Sequence, residues 1–271
     1  MSFYVPAEQA MRDKADYARK GIARGRSLTA LVFDGGLLIC AENPSSTLHK
    51  VSEIYDRIAF AGVGRYNEYD QLRRAGVRSA DLTGYSFSRE DVNARSLATS
   101  YAQYLGQVFT HEIKPMEVEI LVAEVGDEPA RDELYHILFD GTVMDEDNFS
   151  VLGGETEQIV ERLEKGWKPG LALADAIKVA VAALSGPTRS LAADDLEVAV
   201  LDRHDGQRVF RRIAGGELAK IVPSVKRKPT HAGEPKADLP PAIDDTEPAA
   251  ATPAKRSAAA KKSAAEPGSE E

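Results

Sequence analysis

Two apolar runs near the N-terminus are separated by turn-forming residues. The runs cover residues 28–33 and 37–41, and Asp34, Gly35 and Gly36 lie between them. Asp-Gly is a strong signal for a tight turn between antiparallel strands, and both runs are rich in strand-forming residues. The pattern predicts a β-hairpin, which we take as the first hairpin of the fold.

A helical pattern precedes this hairpin. Apolar residues recur about every 3.6 positions over residues 7–22, and charged residues fill the positions between them, which predicts an amphipathic helix. Cations and glycines gather over residues 19–26, as is common where a helix ends. Any function of the first hairpin therefore has to accommodate a helix directly in front of it.

The rest of the pattern groups strands with strands and helices with helices. Apolar runs predict strands over 58–63, 118–125, 134–139, 149–152, 196–201 and 208–213. Helical spacing predicts helices over 66–74, 156–165 and 173–184, and a longer one to about 112 that begins at a capping box of Ser88 and Asp91. Hairpin-linked strands without regular βαβ alternation indicate an α+β fold of antiparallel sheets covered by helix pairs.

The composition changes after Pro223. Residues 224–271 contain 7 of the 14 prolines together with runs of Ala, Lys, Ser and Glu, and they show no apolar periodicity. Such a segment has too little apolar surface to offset the entropy cost of ordering. We expect one folded domain over residues 1–223 and a disordered, low-complexity tail over 224–271, with a linker or docking role of the tail left open.

Charge and residue usage exclude several classes of function. A net charge of −9 argues against general affinity for nucleic acid or for anionic membranes. Neither a membrane-spanning run nor a secretory signal is visible, so we expect a cytoplasmic protein. The single cysteine, Cys40, lies in an apolar run and is expected to be a buried hydrophobe. The five histidines lack zinc-ligand spacing, and we expect no metal or cofactor.

Several segments together resemble one known family. They are SFYVPAEQAMRDKADYARKGIARGRS at the start, CAENPSSTLHKVSEIYDRI after the hairpin, and then YAQYLGQVFT, KPMEVEILVAEV, LEVAVLD and FRRI. With these motifs, residues 1–223 resemble the α subunit of an actinobacterial 20S proteasome core. The resemblance implies a fold like that of N-terminal-nucleophile hydrolases, a four-layer αββα sandwich of two antiparallel sheets.

The same resemblance implies a set of partners. It implies a homoheptameric ring of α subunits stacked on each face of a double ring of catalytic β subunits, and an ATPase ring activator that binds through its C-terminal tails. Unfolded protein substrates would pass through the α ring for ATP-dependent degradation.

Catalysis in the related β subunits uses an N-terminal threonine whose own amine is the base, with a lysine nearby. Here Thr29 lies inside the first predicted strand, so its nitrogen is a peptide amide without basicity. The resemblance places the lysine just before the segment Ile54-Tyr55, where this chain has Glu53. We therefore expect a structural and gating subunit and no catalytic residues.

The resemblance also assigns a gate and a docking site. Residues 2–8 of seven copies would converge at the ring axis, and the gate residues would be Ser2, Phe3, Tyr4, Val5 and Pro6. Lys50, in LHKVSEI, would meet the terminal carboxylate of an activator tail, and Gly64 would lie near the same pocket. Charge-assisted hydrogen bonds from an ammonium group suit that carboxylate.

Three alternatives stay open at this point. The chain could be a catalytic β-type threonine peptidase, which the N-terminal sequence of the mature protein would reveal. It could be an unrelated soluble binding module, which would form no sevenfold ring. Ser45, Ser46 and His49 could suggest a hydrolase triad, but no G-x-S-x-G elbow accompanies them, and a polar loop is the better interpretation.

Overall fold

A computed structural model describes residues 6–204 and 209–222 of the chain. The helices within these ranges are α1 (Ala7–Ala23), α2 (Tyr66–Ser86), α3 (Ala94–His111), α4 (Thr156–Gly166), α5 (Leu173–Ser185) and α6 (Gly215–Ile221). The strands are β1 (Leu28–Phe33), β2 (Gly36–Glu42), β3 (Val51–Tyr55), β4 (Ile58–Gly64), β5 (Val118–Glu124), β6 (Glu133–Ile137), β7 (Val143–Asp145), β8 (Phe149–Leu152), β9 (Leu196–Asp202) and β10 (Phe210–Arg212).

Two five-stranded sheets form the centre of the fold. Their strand orders are β10-β9-β2-β1-β8 and β3-β4-β5-β6-β7, and every pairing within them is antiparallel. The predicted hairpin is confirmed, since Leu28 pairs with Ala41 and Phe33 with Gly36. Gly36 has a φ of +146°, and a Cβ there would collide with the Leu201 carbonyl, so this turn position requires glycine.

Three apolar clusters define four layers. Leu28 and Ala30 of β1 pack with Ala61 and Leu121 between the two sheets. Leu31, from the other face of β1, packs with side chains of α4 and α5. The outer face of the second sheet packs against α2 and α3 in the same way. Side chains alternate across a strand, so each sheet fills two clusters, and the predicted αββα sandwich is confirmed.

Helix α1 packs against β4 and β5. Its residues Ala18 and Ile22 are buried and belong to the cluster between the sheets. The Lys14 ammonium group donates a hydrogen bond to the Phe109 carbonyl oxygen at 3.1 Å. The helix that precedes the first hairpin is therefore fixed to the sandwich by both apolar and polar contacts.

Some elements differ from the sequence prediction. The capping box at Ser88 does not start the long helix: Ser88 accepts a bond from the Glu90 amide and caps a single 3-10 turn. Helix α3 begins six residues later, where Asn93 Oδ1 accepts the Ser96 amide at 2.9 Å. Helix α2 continues to Ser86, well beyond the predicted end at residue 74. Strands β3 and β7 and helix α6 were not predicted.

Several predictions lie outside the described residues. These are the gate residues Ser2, Phe3, Tyr4 and Val5, the start of the strand predicted over 208–213, and the tail over 224–271. The disordered tail therefore stays a prediction.

Candidate functional site

Lys50 ends the loop between β2 and β3 and reaches the start of β1. Its ammonium group donates a hydrogen bond to the Arg26 carbonyl oxygen, two residues before β1 begins. Its own carbonyl oxygen accepts the Gly62 amide at 3.1 Å, which continues the ladder between β3 and β4. The loop residue that the sequence singled out is thus held beside the first strand.

A glutamate from β9 organises this loop. The Glu197 carboxylate accepts the Lys50 backbone amide and the Asn43 side-chain amide, each at 2.8 Å, and lies 3.2 Å from His49 Nδ1. Its side chain is only 9% exposed, so these bonds form in a partly desolvated setting where each contributes more. Glu197 was not predicted from the sequence, where its one signal is a charged residue early in an otherwise apolar strand.

Burial changes the pKa of the Lys50 ammonium group. Desolvation lowers the pKa of its ammonium group from the ordinary value to about 8, an effect that Arg26 reinforces and that Glu42 and Glu197 oppose. An ammonium group has three N–H donors. Within the described residues, Lys50 uses one of them, in its hydrogen bond to the Arg26 carbonyl oxygen. A half-buried cation with spare donors is well suited to an anionic ligand.

Gly64 lies at the same end of the sandwich. It is two residues beyond Gly62, the β4 residue whose amide bonds to the Lys50 carbonyl oxygen. Its φ is +111°, and a Cβ would collide with the Glu117 carbonyl, so the position requires glycine. A Cβ on Gly25 would lie 3.3 Å from the Gly64 amide nitrogen. The backbone before β1 therefore runs directly past both predicted docking residues.

A buried carboxylate borders the same segment. Glu42 is 6% exposed and pairs with Arg26 at 3.1 Å and with Arg189 at 3.2 Å. These three residues line a cavity of about 230 Å³ together with the backbone at Gly25 and Gly154. The two guanidinium groups balance the buried charge of this carboxylate.

The first strand has no catalytic geometry. Thr29 is fully buried in the middle of the hairpin, where it pairs with Cys40 and Val151. Lys50 lies beside the start of β1, whereas Glu53 lies in β3. What removes the chemistry is the peptide bond at Thr29 and its burial, because a nucleophile of this type needs a free amine and access.

The other sequence candidates have structural roles. Cys40 is buried, as predicted, and burial raises the pKa of its thiol to about 12. Ser45 Oγ accepts the backbone amides of Thr47 and Leu48, whereas His49 contacts Glu197. The serine and the histidine thus shape the loop that carries Lys50, and this arrangement supports the polar-loop interpretation over a triad.

Pro6 is the one predicted gate residue that the structure describes. It precedes α1, and its carbonyl oxygen accepts the Ala10 amide at 3.1 Å, the first bond of the helix. Its φ of −56° is within the range that the proline ring imposes. The gate segment would therefore leave the fold from a fixed point.

No group of three or more His, Cys, Asp or Glu in 6–204 and 209–222 could hold a metal ion. None of the helices in these ranges is long and apolar enough to cross a membrane.

Comparisons with known proteins identify the family. A family model described as proteasome subunit matches residues 22–201. A proteasome subunit alpha of Acidimicrobium ferrooxidans is 58% identical over 222 residues, which cover 82% of this chain and 96% of the relative. Those of Xylanimonas cellulosilytica and Thermobifida fusca are 55% and 54% identical, and the alignments cover 80% and 82% of this chain and 94% and 90% of the relatives. The expectation of a subunit that is not catalytic is thereby confirmed, and the chain belongs to the proteasome subunit family, among its alpha subunits.

Proposed function

We propose that this chain forms the outer rings of a cytoplasmic 20S core particle, gates substrate entry with its N-terminal residues, and docks the C-terminal tails of an ATPase ring activator at Lys50. Membership of the alpha subunits supports association with β subunits and with neighbouring α subunits. The gate, the docking site and the ATP-dependent degradation of unfolded substrates are the parts that experiments must test.

The position of Lys50 is the observation that carries the docking proposal. Its half-buried ammonium group lies against the Arg26 carbonyl, and Arg26 is three residues beyond the end of α1 at Ala23. A carboxylate that binds the remaining donors of Lys50 would lie beside this carbonyl. Docking would then act on the segment that joins α1, and thus the gate, to the first strand.

The geometry of the N-terminus supports the gate. Pro6 is fixed at the start of α1, and the five residues before it can reach at most about 17 Å when extended. One such segment cannot close a wide pore. Seven segments related by a closed rotational symmetry converge on one axis, so short ends suffice when the ring is assembled.

Docking should depend on pH through Lys50. Only the charged ammonium group binds a carboxylate strongly, and burial lowers its pKa to about 8, so affinity is nearly full at pH 7 and falls as the pH rises through 8. Between pH 7 and pH 9, we expect a tail peptide with a free C-terminus to bind about tenfold more weakly, as measured by fluorescence anisotropy.

Two comparisons make this pH experiment specific. In a Lys50→Arg variant, the guanidinium group stays charged over the whole range, and the pH dependence should disappear. A peptide with an amidated C-terminus should bind weakly at both pH values. Equal affinity of the free-acid peptide at pH 7 and pH 9 would exclude Lys50 as the group that binds the carboxylate.

Assembly tests the ring itself. Co-expression of the full-length chain with a β subunit should give a cylinder of four stacked rings, with seven copies of this chain in each outer ring, when particles are imaged by electron microscopy. A particle with this chain in the inner rings, or a chain that stays monomeric beside assembled β subunits, would contradict the proposal.

A further inference from the structure

Among the described residues, strand β8 forms an edge of the first sheet and pairs with β1 alone. The Val32 amide donates to the Asn148 carbonyl oxygen at 2.9 Å, which identifies Val32 and Asn148 as a hydrogen-bonded pair. Because such pairs alternate along antiparallel strands, Ser150 also bonds to β1, whereas Phe149 and Val151 direct their N–H and C=O groups away from it. The outer edge of β8 is thus a row of backbone donors and acceptors.

Two buried polar side chains lie beside this edge. Ser150 of β8 and His136 of β6 are 2% and 4% exposed, and both line a cavity of about 410 Å³. Their strand partners Ala30 and Leu121 face the space between the sheets, so Ser150 and His136 face it too. Over the described ranges, neither Ser150 Oγ nor His136 Nε2 has a hydrogen-bond partner.

Within the described residues, no hydrogen bond satisfies these two polar atoms. Glu119 Oε2 lies 3.5 Å from His136 Nε2, and this carboxylate already accepts the Gly153 amide at 3.2 Å. A buried polar group without a partner loses its bonds to water and gains nothing in return. The cavity therefore presents a hydroxyl group and an imidazole nitrogen to an incoming ligand.

The charges around the cavity determine which sign of charge the ligand should carry. Glu146, Asp147 and Glu164 line it, and neither Lys nor Arg is among its described lining residues. Burial raises the pKa of the Glu146 carboxyl, an effect that His136 opposes and that Asp147 increases. A cation would relieve this accumulation of negative charge, and Val160 offers an apolar wall for its aliphatic stem.

We propose that an extended polypeptide segment from another chain adds to the outer edge of β8 and places a Lys or Arg side chain in this cavity. Phe149, which is partly exposed, and Val151, which is 3% exposed, both line this cavity. Their outward N–H and C=O groups select a polypeptide over a small amine, because strand addition satisfies them. The acidic lining selects the basic side chain. This site is distinct from Lys50 and from the gate, and it does not depend on either role.

The test uses the full-length protein and labelled heptapeptides of Thr and Val with a central Arg. The Arg peptide should bind at least about tenfold more tightly than the same peptide with a central Glu, since the exchange replaces a buried attraction with a repulsion. Methylation of the peptide's alternate backbone nitrogens should abolish binding. Excess agmatine, a small guanidinium compound, should compete only weakly.

Matched variants locate the site. Glu146→Gln removes one carboxylate from the cavity and should weaken binding of the Arg peptide several-fold. Glu157→Gln removes a carboxylate from the exposed first turn of α4, outside the cavity, and should leave the affinity unchanged. Hydrogen exchange of the Phe149 and Val151 amides should slow when the peptide is added.

Four results would overturn the proposal. The first is equal affinity for the Arg and Glu peptides, and the second is undiminished binding of the methylated peptide. The third is full competition by agmatine, which would show a small-cation site. The fourth is strong protection of the Phe149 and Val151 amides in the assembled particle without any peptide, which would show that another copy of this chain covers the edge.

Discussion

Replacement of Lys50 by alanine should abolish the stimulation of peptide hydrolysis by an activator, while the particle still assembles. The ammonium group is the cation that the structure places against the backbone before β1, and alanine cannot bind a carboxylate. Loss of a charge-assisted hydrogen bond costs about 1.5–3 kcal/mol, so a tail peptide should bind about 10- to 150-fold more weakly. Anisotropy measures the binding, and a fluorogenic peptide measures the hydrolysis.

Control variants distinguish this effect from a general loss of lysine. Lys178 lies on the exposed face of α5 and pairs with Asp175, so Lys178→Ala should behave as the unaltered chain does. Glu197→Gln keeps the size of the side chain but weakens the bonds to the Lys50 amide and to Asn43, and it should reduce docking partially. Full stimulation of the Lys50→Ala particle would refute the docking role.

The sequence predicted one part of this site and not another, for a physical reason. Lys50 and Gly64 belong to short segments with a recognisable motif, and Gly64 also has a backbone conformation that only glycine adopts easily. Glu197 is 147 residues away from Lys50 along the chain, and the two meet only because β9 and β2 are neighbours in one sheet. Contacts between distant residues depend on strand order, which local patterns do not contain.

The same distinction between local patterns and long-range contacts explains which elements of the fold were predicted from the sequence. The first hairpin has both an apolar pattern and turn chemistry that act within twenty residues, and it forms as predicted. Strand β3 is an edge strand with Ser52 and Glu53 only partly buried, so its pattern is weak. Helix α2 continues past residue 74 through Gly76, because the Tyr101 hydroxyl packs against that glycine from α3. Tertiary packing thus extends the helix beyond the residues whose local sequence pattern predicts it.

The structure refines the bounds of the gate segment that was predicted at the N-terminus. The prediction assigned residues 2–8 to the gate, and the structure begins α1 at Ala7. Ala18 and Ile22 anchor that helix in the core, so its start cannot move freely. A deletion that ends at Pro6 therefore removes the proposed gate and spares the helix that fixes its position.

Deletion of residues 2–6 should raise the rate at which the assembled particle hydrolyses short peptides several-fold in the absence of any activator. The seven segments would no longer meet at the ring axis, and substrate entry would cease to limit the rate. The deleted particle should also lose further stimulation by an activator, because the step that docking accelerates has been removed. Steady-state hydrolysis of a fluorogenic peptide measures both effects.

A second variant keeps the length of the segment and changes only its chemistry. Replacement of Phe3 and Tyr4 by serine removes the apolar side chains that would pack against each other at the axis, and it should raise basal hydrolysis to a lesser extent than the deletion. Thermal unfolding of both particles should match that of the unaltered one, since α1 keeps its buried contacts at Ala18 and Ile22. An unchanged basal rate after deletion would show that these residues do not close the pore, whatever the role of Lys50.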